Sequence, residues 1–242
     1  MESAFYADVI AAGGLTAALE RAAADLALDV TVLPADSDRT ASIAAPAPGR
    51  EPLDIHLEDG WRYFGVDGWS RGVAMIGGGT PDLGDVVRAG AAWGSGTSLP
   101  ELRAQLSWVE YGEFAEAADR SPAAAVDVAW RLLREWAAEM PEFREFGAAL
   151  EAAYRQPRLR QLLPFSSVSR LGFRPSVGHV YPPAVVIVPA RDGGPYRVQR
   201  TLDRETDDDL LGEVPTATQA AALAAAHVPA DLGPAVAGPD DL

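Results

Sequence analysis

The stretch LDIHLEDGWRYFGVDGWSRGVAMIGGGTPDLGDVV, residues 53 to 87, contains the transition that decides the fold class. Leu53, Ile55 and Leu57 alternate with Asp54, His56 and Glu58, the two-residue period of a strand with one buried face. Asp59-Gly60 reads as a hairpin turn leading into Trp61-Arg62-Tyr63-Phe64, and Asp67-Gly68 as a second one leading into Val73 to Ile76. Gly77-Gly78-Gly79 ends the sheet. Thr80-Pro81-Asp82 then opens a helix, with threonine at the N-cap, proline in the first turn and aspartate at the positive end of the helix dipole.

Upstream, residues Ala7 to Leu28 form an alanine-rich helical stretch interrupted at Gly13-Gly14, and Leu28 to Leu33 and Ala41 to Ala45 read as short strands. Downstream, helical patterning runs to about Leu163. Val126, Trp130, Leu133 and Ala137 make one apolar stripe, and Phe143, Phe146, Leu150 and Tyr154 another. Strands return at Val168 to Phe173, Ala184 to Val188 and Tyr196 to Arg200. Residues 203 to 213 read as an acidic connector, and Pro215-Thr216 opens a last helix ending near His227. Strands, then helices, then strands give an α+β protein rather than a βαβ series. Residues 1–228 are expected to be globular, with possible lobes 1–120 and 121–228 meeting near Arg120-Ser121-Pro122. Residues 229–242 are expected to be a disordered tail.

Composition removes whole reaction classes. The 242 residues include no lysine, cysteine or asparagine, and all 20 cationic side chains are arginine. A Schiff-base lysine, a thiolate nucleophile, a cysteine-ligated metal and a Walker-type phosphate lysine are therefore excluded. Arginine without lysine, beside abundant alanine, also reads as codon bias in a GC-rich bacterial genome. A formal charge of −15 argues against nucleic acid and anionic membranes as partners and favours cationic ones. The start of the chain carries Glu2 and Asp8 and lacks a basic segment, so no signal peptide is expected. No window is apolar enough for a transmembrane helix, and a cytoplasmic location follows as the expectation.

Residues 157 to 198 read PRLRQLLPFSSVSRLGFRPSVGHVYPPAVVIVPARDGGPYRV. Leu159-Arg160, Leu163-Pro164-Phe165, Ser167, Leu171, Phe173, Tyr181-Pro182, Pro189, Gly194, Tyr196 and Val198 resemble the hallmark block of an actinobacterial family of unknown function, often labelled natural-product biosynthesis proteins. Trp93 to Val109 with Glu113-Phe114 is similar to an earlier element of that family, so the resemblance spans roughly residues 60 to 200. It implies a role in bacterial specialised metabolism; separately, no cofactor is expected. Where that family tends to have histidine after Thr-Ser, this chain has Val168, so no role for that histidine carries over.

The same block has chemical content of its own. Arg155, Arg158, Arg160 and Arg170 bracket Ser166, Ser167 and Ser169. Guanidinium groups clustered with hydroxyls suit a carboxylate or phosphate, and Arg158, Arg160, Arg170 and Ser167 are the candidate anion- or substrate-binding residues. The competing reading pairs these arginines with Glu145, Glu151 or the acidic connector. His179 with Tyr181, in a Gly-Pro-rich loop, are the candidate catalytic pair for proton transfer.

Other groups read more simply. Asp54-His56-Glu58 has metal-compatible residues on one strand face, which is also what an exposed sheet face looks like, and no metal site is assigned. Gly77 to Thr80 reads as a helix cap without the lysine and spacing of a phosphate loop. Asp207-Asp208-Asp209 lacks calcium-loop spacing, His227 closes a helix, and no serine-hydrolase elbow is present.

Two functions follow as expectations. One is a tailoring protein performing cofactor-free acid–base chemistry, such as cyclisation or elimination, on a small-molecule or peptide substrate. The other is a non-catalytic adaptor or immunity-like protein that binds a peptide or partner protein, with tryptophans such as Trp61, Trp69, Trp93 and Trp108 as possible anchors. On the first, His179→Ala abolishes turnover and leaves the fold intact. Unchanged turnover in that variant removes the proton-transfer assignment.

Overall fold

Two antiparallel sheets, each with its own helices, make up the described chain, as the α+β reading requires. The computed structural model describes residues 5–35, 37–178, 182–190, 194–202 and 209–238. The chain divides into two compact units, Met1–Asp119 and Arg120–Leu242. Among the described residues no helix is long and apolar enough to cross a membrane.

The N-terminal unit begins with α1 (Ala7–Ala12) and α2 (Leu15–Asp25). They are separated because Gly13 turns left-handed at φ 95° and closes α1 with its N–H on Ile10 and Val9 oxygens. Six strands follow: β1 (Val32–Leu33), β2 (Thr40–Ile43), β3 (Leu53–Leu57), β4 (Phe64–Ser70), β5 (Val73–Thr80) and β6 (Val109–Glu110). They pair in chain order as an antiparallel meander. The alternation in β3 buries Leu53, Ile55 and Leu57 and leaves Asp54 exposed. Helix α2 packs on β1 and β2, and α3 (Leu83–Gly94) on β3, β4 and β5. Helices α4 (Leu99–Gln105) and α5 (Glu113–Arg120) complete the unit.

Three local expectations are corrected. Asp67-Gly68 lies inside β4, and the turn is Arg71-Gly72, both left-handed at φ 50° and 77°. Gly77 to Gly79 continue β5 instead of ending it. A Cβ at Gly78 would come 2.4 Å from the Trp108 carbonyl oxygen, so glycine there is what lets β6 pair with β5. The N-cap of α3 is Asp82, whose Oδ1 accepts from the Gly84 and Asp85 N–H groups at 2.7 and 3.2 Å. Thr80 remains in the strand. Both cap assignments use the same run, and only geometry separates them.

The C-terminal unit starts with α6 (Pro122–Glu139), capped by the Ser121 hydroxyl on the Ala124 N–H. A 3-10 turn (Pro141–Phe143), α7 (Arg144–Tyr154) and the single turn α8 (Pro157–Arg160) follow. The second sheet has β7 (Leu163–Ser167), β8 (Arg170–Arg174), β9 (Val185–Val188), β10 (Tyr196–Gln199) and β11 (Leu210–Val214), again antiparallel in chain order. Helix α6 packs on β7, α7 on β8, and α9 (Ala217–His227) on α7 and on β9 to β11. Ala220, Ala221, Ala224 and Ala225 are buried there, small side chains that let this face of the helix lie against its neighbours.

Here too the sequence reading is adjusted. The expected strand from Val168 is a hairpin: Val168 and Ser169 form its turn at φ 47° and 63°, and Val168 is 84% exposed. The acidic connector contributes β11, while residues 203–208 lie outside the described residues. The described part of the expected tail, residues 229–238, is docked. The Ala235 N–H donates to Gln161 O at 2.9 Å, Val236 N–H to Pro175 O at 3.0 Å, and Val177 N–H to Val236 O at 2.9 Å. Its proline and glycine content concealed an apolar contact, for Ala235 is 7% exposed.

In the N-terminal unit, Tyr6 is buried with its hydroxyl 2.9 to 3.0 Å from the Glu58, Trp61 and Tyr63 carbonyl oxygens. Beside it, Arg62 grips both oxygens of Asp8 at 2.7 and 2.8 Å. The hydrogen bonds from Arg62 hold the Asp8 carboxyl below its ordinary value. A lowered folded-state value stabilises the fold above the ordinary carboxylate range and loses that stabilisation as pH falls through it. With Asp8 half exposed, the pair contributes no more than about 1 kcal/mol. Asp8→Asn is therefore expected to lower stability slightly at neutral pH, with the difference vanishing at acid pH in denaturant titrations. A difference that persists at low pH contradicts the ion-pair account.

Candidate functional site

The C-terminal unit carries a cavity of about 500 Å³ between α6, the α7–α8 corner and the C-terminal segment. Its apolar floor includes Val126, Pro157 and Ala235. Its polar groups are Asp127, Tyr154, Arg155, Arg160 and Gln161. Each wall has a physical reason to stand where it does. Trp130, one turn after Val126 on the buried stripe of α6, is 1% exposed and donates its indole N–H to Arg160 O at 2.9 Å and Leu162 O at 3.2 Å. That bond ties α6 to the end of α8. The Trp130 ring also packs on Tyr154 and Phe173, with centroids 5.4 and 5.9 Å away.

The candidate anion-binding residues take separate positions. Arg158 donates from Nη2 to the Val228 and Pro229 carbonyl oxygens, both at 2.7 Å, and so clamps the chain leaving α9. Arg160 projects beside the cavity with its guanidinium 4.7 Å from the Tyr154 ring centroid. Arg170 donates to Leu202 O at 2.5 Å and lines a different hollow of about 230 Å³, together with Glu142, Glu145 and Ser169. Ser167 is half-buried and pairs with Arg170 across the β7–β8 hairpin. The four residues thus do not converge on one cavity. Arg160 is joined instead by Arg155. His179 and Tyr181 lie outside the described residues.

The charge state of the cavity follows from which acids are already engaged. Glu151, a proposed partner of the arginine cluster, is taken by Arg134 through two hydrogen bonds of 2.5 and 3.1 Å. Those bonds also raise the Arg134 guanidinium above its ordinary value. Glu145 is taken by Arg144 at 3.1 Å, whose hydrogen bond lowers the Glu145 carboxyl. Arg155 has no hydrogen bond or ion pair among the described residues, and the Arg160 guanidinium has only its contact with Tyr154. Both are exposed. The cavity is therefore lined by two arginines without an ion-pair partner among the described residues, beside small apolar side chains.

Asp127, Gln161 and Ala235 are among the lining residues that were not singled out from the sequence. Asp127 follows Val126 directly and so falls off the apolar stripe of Val126, Trp130, Leu133 and Ala137. Ala235 belonged to the segment read as disordered. On the N-terminal sheet, His56 lies 3.2 Å from Glu58 Oε1 and 3.7 Å from Asp67 Oδ2, while Asp54 accepts from Ser42 at 2.7 Å. Among the described residues no group of three or more His, Asp or Glu side chains could hold a metal ion. The Gly77 to Thr80 run is strand, and His227 Nδ1 is 3.0 Å from Leu223 O within its own helix.

A model of a family of unknown function (DUF6193) matches residues 124–239. No curated protein and no solved structure matches the chain. The matched segment begins and ends later than the 60 to 200 region of resemblance, and every cavity residue named above falls inside it.

The clamp from Arg158 generates a test. Arg158→Ala removes two charge-assisted bonds that hold the start of the C-terminal segment. The amides of Ala235 and Val236 are then expected to exchange with solvent about tenfold faster, as for losing roughly 1.4 kcal/mol of local stability. Unchanged exchange means that the segment is held by its own backbone bonds.

Proposed function

We propose that the protein is a binding module whose C-terminal unit receives a carboxylate-bearing small molecule or peptide in the cavity of Arg155 and Arg160. One observation carries this reading. Arg155 and Arg160 both line an apolar-floored cavity and neither has an ion-pair partner among the described residues, while the neighbouring acids Glu151 and Glu145 are occupied by other arginines. Arginine forks facing a cavity are suited to planar oxyanions. A volume of about 500 Å³ lies within the range of small-ligand sites.

The biological setting, an accessory protein of bacterial natural-product biosynthesis, rests on the resemblance described from the sequence, and the cytoplasmic location on the character of the chain's start and its hydropathy. Acid–base turnover through His179 and Tyr181 has no described side chain behind it, so binding is the reading with observations in its favour.

The probe is 4-methylpentanoate, a monocarboxylate with an apolar body, against its neutral amide. The acid is expected to bind saturably in calorimetry and the amide at least about tenfold more weakly, the loss of one charge-assisted hydrogen bond. The double variant Arg155→Gln/Arg160→Gln is expected to erase that preference. Equal binding of acid and amide by the native chain, or an undiminished preference in the double variant, overturns the assignment.

A further inference from the structure

The charged groups around this cavity do not neutralise one another. Asp127 stands on the α6 wall, exposed and without a hydrogen-bond or ion-pair partner among the described residues. Arg155 and Arg160 stand on the α7–α8 wall, neither of them within ion-pair distance of Asp127. Opposite charges that line one cavity yet remain apart leave one place for a ligand's cation and another for its anion. Exposed opposite charges gain little from pairing, because water screens them and holding two side chains in one geometry costs entropy, so each stays open to a ligand. Here the short Asp127 side chain is fixed on a helix that Trp130 ties in place, and Arg160 is drawn toward the Tyr154 ring.

We infer that the cavity recognises a zwitterion of dipeptide size, with its ammonium at Asp127, its carboxylate at Arg155 and Arg160, and small apolar side chains on the Val126, Pro157 and Ala235 floor. This rests on reading the cavity as an anion site and adds the cation. Size points to two residues. A volume of about 500 Å³ accommodates a molecule of that size. Charge points the same way, since two guanidiniums and one carboxylate suit a single ligand carboxylate accompanied by an ammonium better than a phosphate dianion. The Tyr154 hydroxyl and the Gln161 amide, both without side-chain hydrogen bonds among the described residues, supply neutral partners for the single peptide group between the two ends.

The test is calorimetry on the full chain with Ala-Leu, N-acetyl-Ala-Leu and Ala-Leu amide. Ala-Leu is expected to bind, and capping either end to weaken it by about tenfold, one charge-assisted interaction each. Asp127→Asn is expected to make Ala-Leu and its N-acetyl form bind alike while keeping the penalty for amidation. Arg155→Gln/Arg160→Gln is expected to do the reverse. The capped-peptide comparison on the native chain needs no variant, so it stands even if a substitution disturbs folding. If N-acetyl-Ala-Leu binds as tightly as Ala-Leu, or if 4-methylpentanoate binds and Ala-Leu does not, the zwitterion proposal is overturned and the anion site survives. If no carboxylate binds, both fall.

Discussion

The indole N–H of Trp130, bonded to the carbonyl oxygens of Arg160 and Leu162, is the constraint on which the C-terminal unit's chemistry depends. A buried indole donor must find an acceptor. The acceptors available at this depth are the carbonyls at the end of α8, so one hydrogen-bonding requirement sets the distance between α6 and the α7–α8 corner. The same ring packs against Tyr154 and Phe173. Tyr154 in turn lies under both the Arg134 and Arg160 guanidiniums, at 4.3 and 4.7 Å. Satisfying Trp130 therefore also fixes where Arg160 can project.

Charge is unevenly shared between the two units. Met1–Asp119 holds seven arginines against nineteen acidic residues, formally −12, and Arg120–Leu242 holds thirteen against sixteen, formally −3. The overall acidity that argues against polyanion partners is thus chiefly a property of the N-terminal unit. Within the nearly balanced C-terminal unit, pairing is local. Arg131 takes Glu135, Arg134 takes Glu151, and Arg144 takes Glu145, each within 3.1 Å. Among the described residues Arg155 and Arg160 take no part in that pairing, which charge counting along the chain does not reveal.

The α+β class was readable because β3, with Leu53, Ile55 and Leu57 on one face, and the Trp130 stripe of α6 have unmistakable and different periods. Element ends were less readable, for reasons that differ case by case. Asp67-Gly68 has the residues of a hairpin turn, but Asp67 pairs with Asp54 and Gly77 inside the sheet, and the strand outruns the local signal. Val168 has strand propensity yet occupies a left-handed turn position that the pairing of Ser167 with Arg170 imposes. Residues 229–238 look unstructured by composition, and their order comes from the Arg158 clamp and from the carbonyls of Gln161 and Pro175, all distant in sequence. The arginine cluster was visible as a string. Its division into a clamp (Arg158), a cavity residue (Arg160) and a residue of another hollow (Arg170) is set by tertiary geometry alone.

The central claim is that the Arg155 and Arg160 guanidiniums are available to an incoming carboxylate while Arg158 is not. Titrating the nitrogen-15-labelled protein with acetate and following the arginine Nε–Hε resonances tests it directly. The account predicts saturable shifts at Arg155 and Arg160 with one common dissociation constant, and no shift at Arg158. Small, unsaturable changes of equal size at all three would contradict it.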